Sequence, residues 1–269
     1  MNSHTRFLER PGGRLAFTVT GSGPLVICAP GMGELKESYQ GVVSRLESAG
    51  YRAAALDLRG HGESDTTFDT YDNTALASDY LALARHLGDP AILIGSSMAA
   101  GAAVIAAALS PQDVRGLVLA GPFVRNSGST LSKALLDLLL ARPWGRHVWR
   151  MYYRSLFKGS TPTWLPAHQD NIHDTLASPD RWRTFRATTR TDHSPASEAL
   201  PQVSSPALVV MGTGDPDWKD PVAEATWLSD KLGCPQILVS GAGHYPLVED
   251  PNELINQMIT HLDQWSERA

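Results

Sequence analysis

The sequence predicts an α/β fold: a mostly parallel central sheet flanked by helices and carrying one inserted helical segment. Three observations predict it. Short apolar runs alternate with helix-period segments over roughly the first 120 residues, which implies right-handed strand–helix–strand crossovers. The alternation stops between Asn126 and about Leu200, where no convincing strand pattern occurs and four of the seven Trp fall. It resumes at Pro206.

The elements follow in order. Thr5–Arg10 and Arg14–Thr20 alternate apolar and polar around Pro11-Gly12-Gly13, the pattern of an antiparallel hairpin. Pro24–Ala29 is continuously apolar, as suits a strand buried on both faces. Glu37–Ser48 carries Tyr39, Val42, Val43 and Leu46 at helical spacing, and Gly50 ends it. A strand is expected at Tyr51–Asp57, and then a helix at Asn73–Leu87 with Leu76, Tyr80, Leu81, Ala84 and Leu87 facing inward. Ala91–Gly95 reads as a strand, Ala99–Leu109 as an Ala-rich helix and Leu117–Gly121 as a strand. Beyond the insertion come a strand at Pro206–Met211, a helix at Val222–Leu232, a strand at Gln236–Val239 and a last helix at Asn252–Trp265. About 75 residues are too many for a plain connection in a compact domain. The expected organisation is therefore a core of residues 1–125 and 201–269, with residues 126–200 as a helical lid. Such a lid covers the carboxyl ends of the strands, where open α/β sheets bind ligands.

Composition excludes several classes. In 269 residues, 23 Lys and Arg stand against 28 Asp and Glu, a net charge of −5, which argues against a nucleic-acid binder with a basic field. The two cysteines, Cys28 and Cys234, make no disulfide framework or metal-ligand spacing and suit buried packing positions. The first residues, MNSHTRFLERPGGRLAF, contain no apolar core of a signal peptide. No apolar run approaches the roughly 18 residues of a membrane helix. The expectation is a cytoplasmic globular protein acting on a small molecule, without nucleic-acid or membrane partners.

The chemistry concentrates in three loops. Ala91-Ile-Leu-Ile-Gly95-Ser96-Ser97-Met98-Ala99 runs from a strand through Gly-x-Ser-x-small into a helix, the pattern of a sharp turn presenting a nucleophile. The strained turn tolerates only small residues two positions away. Ser97, between Gly95 and Ala99, satisfies this; Ser96, between Ile94 and Met98, does not. A serine hydroxyl needs a neutral imidazole as base, and the imidazole needs a carboxylate to orient it. His244 lies in the Gly-rich loop Ser240–Pro246, after the strand ending at Val239. Asp215 follows the tight turn after Met211, Asp217 is the alternative acid, and Asp220 suits a helix cap. An oxyanion site needs two backbone donors. Met98, next to the nucleophile, and Met32, in the loop Ala29-Pro-Gly-Met-Gly33, are the candidates.

With these residues in view, the chain resembles the α/β-hydrolase superfamily. Its likeness is to the lidded type that includes small esterases, lactonases, meta-cleavage-product hydrolases and cofactor-free haloperoxidase-like enzymes. The resemblance is carried by Gly21–Pro24, Pro30–Gly33, Asp57–Ser64, Gly95–Ala99, Gly212–Asp215 and Gly243–Pro246, in the family order. It implies a catalytic triad of Ser97, Asp215 and His244, oxyanion donors at Met32 and Met98, and a structural role for Arg59 and His61. No cofactor and no metal are expected. One departure is Pro30, where the family often has His. Serine at the elbow sets the chain apart from the relatives with aspartate there, the haloalkane dehalogenases and epoxide hydrolases, and from the cysteine-bearing dienelactone-hydrolase type.

The expected activity is cleavage of a carboxylic ester, thioester or lactone of a small to medium, largely apolar substrate. The alternatives are a C–C bond hydrolase or lyase on the same scaffold, and a non-catalytic binding protein. Trp144, Trp149, Tyr152, Trp182 and Phe185 are candidates to line the substrate pocket. Arg142, Arg146, Arg150, Arg154 and Lys158 recur every fourth residue, either as a solvated helix face or as an electropositive entrance for anionic substrates. His168, Asp170, His173 and Asp174 lack the spacing of a metal site.

Overall fold

Between Leu25 and Ala29 every side chain is buried, with Leu25, Ile27 and Ala29 in one hydrophobic cluster and Val26 and Cys28 in another. A strand apolar on both faces needs cover on both, and the fold supplies it. The computed structural model describes residues 4–126, 136–249 and 251–266. Its eight strands are β1 (Arg6–Arg10), β2 (Gly13–Thr20), β3 (Leu25–Ala29), β4 (Arg52–Leu56), β5 (Ala91–Ser96), β6 (Val114–Ala120), β7 (Ala207–Gly212) and β8 (Gln236–Val239). They form one sheet in the order β1-β2-β4-β3-β5-β6-β7-β8, antiparallel at β1, β2 and β4 and parallel from β4 onward. Arg10 pairs with Gly13 across a two-residue turn, and Gly12 at φ +92° takes the left-handed conformation there.

Helices cover both faces. On one lie α2 (Asn73–Leu87) and α3 (Met98–Leu109), with Leu76, Tyr80 and Ala103 packed in the cluster of Ile27 and Leu93. On the other lie α1 (Gln40–Ser48) and the C-terminal helix, whose Val42, Leu46, Ile255 and Met258 pack with Val26, Cys28 and Ile92. Helix α2 is fixed at its ends: Asp72 accepts from the Ala75 N–H at 2.8 Å, and Gly88 closes it at φ +82°. In α3 every residue from Met98 to Ala107 is buried, the all-round apolar helix of a protein interior.

The segment between β6 and β7 contains α4 (Gly145–Ser155), α5 (Leu165–Thr175), α6 (Pro179–Thr188) and α7 (Ser194–Ala199), and no strand among its described residues. Helices α8 (Pro221–Leu232), α9 (Pro246–Glu249) and α10 (Pro251–Ser266) complete the chain. Helix α7 returns to the core, burying Ala196 beside Gly101 of α3. Two boundaries differ from the sequence pattern. Strand β6 starts at Val114, ahead of the expected Leu117, because Arg115 and Gly116 interrupt the apolar run; Gly116 packs so closely on Trp265 that a Cβ there would lie 2.3 Å from the ring. The expected helix from Glu37 opens as a 3₁₀ turn, Lys36–Tyr39, before α1. Among the described residues no helix is long and apolar enough to cross a membrane.

Candidate active site

The corner between β5 and α3 is built from size. Ser97 has φ +57° and ψ −125°, and among the described residues it alone has positive φ without being glycine. Such a conformation costs of order 1–3 kcal/mol and persists only where its surroundings enforce it. The Ser97 N–H donates to Ala120 O at 3.0 Å, and its carbonyl accepts from Ala100 and Phe123 at 3.1 Å each. A Cβ at Gly95 would lie 2.4 Å from Ala99 O, so this turn admits only glycine there. The two serines part company: Ser96 is buried against the Tyr39 hydroxyl at 2.5 Å, whereas Ser97 lines a cavity of about 820 Å³.

The loop after β3 lies over Ser97. A Cβ on Gly31 would come within 2.9 Å of Ser97 Cβ and 3.2 Å of the Tyr245 hydroxyl, so glycine keeps this space open. Met32 and Met98 line the cavity with Ser97. Neither of their amides donates to an acceptor among the described residues, which leaves two N–H groups available beside the hydroxyl. The next residue, Gly33 at φ +70°, presses against Trp149 of α4 and Phe185 of α6. Glu34 is 1% exposed; it accepts from its own neighbour, the Leu35 N–H, at 2.8 Å, and from Tyr153 of α4 and His168 of α5. Burial opposes charge on His168, but Glu34 outweighs it and raises the imidazole's pKa.

His244 arrives on the loop after β8. Its N–H donates to Leu156 O at 2.8 Å, and the Glu249 carboxylate accepts from Gly243 and Gly159 at 2.8 Å each, tying this loop to the inserted segment. His244 Nδ1 stands 2.8 Å from Asp215 Oδ2, and Asp215 Oδ1 accepts from the Asp217 N–H at 2.9 Å. This contact assigns the proton to Nδ1 and leaves Nε2 as the basic nitrogen. Asp217 Oδ2 lies further off, 3.5 Å from the same Nδ1. Burial disfavours the imidazolium, yet Asp215 and then Asp217 outweigh it and raise His244 to about 9. The Phe123 ring meets the imidazole edge-on at 5.7 Å while its N–H holds the Ser97 carbonyl, so one residue touches both groups. The Ser97 hydroxyl has no hydrogen-bond partner among the described residues.

Of the five aromatics expected in the pocket, Tyr152 alone lines the cavity, and it also donates to Asp217. Trp149, Trp182 and Phe185 pack against one another between the helices of the inserted segment, with Trp149 and Phe185 at a ring separation of 4.6 Å. Trp144 is 49% exposed and does not line it. Helical spacing identifies an apolar stripe but not which neighbour it meets. The lining includes instead Phe123 and Trp218, tilted 35° with ring centroids 4.9 Å apart, together with Thr188, Thr191, His193 and the charged Arg125, Lys219 and Glu224. Trp218 was not among the residues expected there, although its position three residues beyond Asp215 was the available signal; the threonines carry no signal of their own.

The basic stripe also lies elsewhere. Arg150 pairs with Asp170, 2.6 Å apart and both exposed, and Arg146 reaches the His173 carbonyl; neither lines the cavity. His168, Asp170 and His173 have separate partners, in Glu34, Arg150 and the His147 ring. In the Asp57–Ser64 segment, Lys36 Nζ sits 2.8 Å from Asp57 and 2.7 Å from Glu63 and fills the space among these carboxylates. Arg59 grips Asp79 with two hydrogen bonds, 2.7 and 2.8 Å long. His61 is buried against the Arg59 carbonyl, and burial pulls it down to about 4.

Residues 26–257 match the family model described as "Alpha/beta hydrolase family". An uncharacterized protein of Mycobacterium tuberculosis is 27% identical over 277 residues, covering 94% of this chain and 79% of its own. Among solved structures, a thermophilic esterase from Thermogutta terrifontis superposes with a TM-score of 0.81 at 22% identity, covering 98% of this chain and 100% of its own. An enol-lactonase from Burkholderia xenovorans gives 0.80 at 21% identity, with 96% and 100% covered.

Proposed function

The chain belongs to the α/β hydrolase family, and from that premise we propose that it is a serine hydrolase. Its substrates are carboxylic esters, thioesters or lactones of small to medium size and largely apolar character, cleaved through an acyl-enzyme. One observation carries the reading: the strained Ser97 opens into a cavity, and Phe123, whose N–H holds its carbonyl, packs on a buried imidazole that Asp215 holds at 2.8 Å.

The chemistry follows from the roles these groups can play. As substrate fills the cavity, the hydroxyl and His244 Nε2 draw into hydrogen-bond contact, a tightening common on going from free enzyme to complex. Ser97 Oγ bonds to the carbonyl carbon while its proton passes to Nε2, and the carbonyl π pair moves onto oxygen. The Met32 and Met98 N–H groups receive that oxyanion, a type of contact worth about 3–4 kcal/mol per donor. Collapse expels the leaving group, which takes the proton from the imidazolium. Water, deprotonated by the same nitrogen, then releases the acid and restores Ser97. Asp215 holds the ring and its charge throughout.

The inserted segment, residues 126–200, acts as the lid: Tyr152, Thr188 and Thr191 come from it, while Phe123 and Trp218 come from the core. The apolar wall of Met32, Met98, Phe123 and Trp218 supports an apolar acyl or alcohol portion. A fluorophosphonate probe tests the reading. Wild type is expected to be labelled and Ser97→Ala not; an ester, thioester and lactone panel then ranks the substrates. Labelling that survives Ser97→Ala, or a wild type that is never labelled, overturns the assignment.

A further inference from the structure

Two carboxylates, not one, face the candidate base. Asp215 takes the 2.8 Å contact with Nδ1, and Asp217 stands 3.5 Å from the same atom. The outer oxygen of Asp217 accepts a hydrogen bond from the Tyr152 hydroxyl of α4, so the second carboxylate is bridged to the inserted segment. Asp217 and Tyr152 both line the cavity. The other groups around the ring are accounted for: Glu249 of α9 is engaged by the Gly159 and Gly243 N–H groups, and Phe123 and Tyr245 present ring faces and edges.

We propose that Asp217 is a second positioning carboxylate for His244, and that Tyr152 makes its effect depend on the seating of the inserted segment. The proposal rests on the serine-hydrolase reading above and adds to it a link between that segment and the strength of the base. An anion 3.5 Å from Nδ1 favours the imidazolium and so raises the pH at which the ring becomes a base. Burial alone pushes the Asp217 carboxyl upward, Asp215 adds to that, and the His244 charge and the Tyr152 hydroxyl oppose it. Tyr152 thereby favours the anionic form of Asp217. When α4 moves away, Asp217 takes up a proton more readily, the imidazolium loses a partner, and the ring becomes a neutral base at lower pH.

The test is the second-order rate of labelling by one fluorophosphonate, followed from pH 5 to 10, in wild type, Asp217→Asn, Tyr152→Phe and the double variant. In Asp217→Asn the rising limb is expected to move to lower pH by about one unit, the lower end of what an adjacent charge does. Tyr152→Phe is expected to move it the same way by less, and the double variant no further than Asp217→Asn, because Tyr152 acts through Asp217. Rates reduced equally at every pH with an unmoved limb would mean that both residues only support the fold, and the proposal is overturned. So is it if the two single shifts simply add. Ser97→Ala is run alongside: if it still labels, the underlying nucleophile assignment fails and this proposal with it; if it does not, an unmoved limb counts against Asp217 alone.

Discussion

Gly33 is the position where backbone conformation, packing and chemistry meet, and replacing it with alanine gives a graded prediction. Its φ of +70° belongs to the left-handed region, which costs a residue with Cβ about 1–2 kcal/mol. The added Cβ would lie 2.4 Å from Trp149 Cζ2 and 2.7 Å from Phe185 Cε2. Trp149 is 3% and Phe185 0% exposed, so neither ring can turn aside without lifting its helix. Overpacking of this kind costs about 1–3 kcal/mol. Gly33→Ala is therefore expected to lose about 2–5 kcal/mol of unfolding free energy. Urea unfolding followed by tryptophan fluorescence measures this as a lower midpoint at unchanged slope. Because Met32 precedes Gly33, fluorophosphonate labelling should fall as well, even in urea-free buffer where the variant is folded. A variant within about 0.5 kcal/mol of wild type, the range of an uneventful surface change, would refute the packing argument.

Three further predictions concern buried or displaced charge. His168 is raised above its ordinary value by Glu34, so its contribution to stability is complete below about pH 6.5 and is lost as pH climbs through the folded value; Glu34→Gln should flatten that part of a stability-against-pH curve, and an unchanged slope would count against the pairing. Lys36→Met leaves Asp57, which is 0% exposed, without its cation, an expected loss of about 3–5 kcal/mol that adding Asp57→Asn should partly restore in a double-mutant cycle. Neutralising Arg146 and Arg150 together should leave the KM ratio of anionic to neutral esters unchanged, since both lie off the cavity; a selective rise for anionic esters would bring back the electropositive entrance.

Much of the fold was legible because its signals are local. A short apolar run bounded by Pro24 and Pro30, such as Leu25–Ala29, suits a strand with cover on both faces, and Asp72 and Gly88 mark the ends of α2 by their side-chain and backbone chemistry. The β5–α3 corner was legible for the same reason: sterics two residues either side of Ser97 decide between adjacent serines, and Ser96 does turn to Tyr39. The cavity lining was not. Trp149 and Phe185 have the composition of pocket residues, but Gly33 arrives from over 100 positions away to pack on them. Nor could spacing reveal that Glu34, Tyr153 and His168 share one buried site, because that contact joins the loop after β3 to two helices of the inserted segment. Long-range pairings of this kind exist only once the sheet has set the distances.

Asn126, where the inserted segment departs, donates to the Asp192 carboxylate and the Ser194 hydroxyl, where the chain turns back into the core through α7, so the two ends of the segment lie side by side. A unit moored at adjacent points can be replaced by another without disturbing the register of the sheet beneath it. The freedom has a boundary. The His244 amide is satisfied by the Leu156 carbonyl, and Glu34 by Tyr153 and His168. Any replacement segment must bring an acceptor and two donors to those same spots, or the scaffold it lands on is left with bare polar groups in its interior.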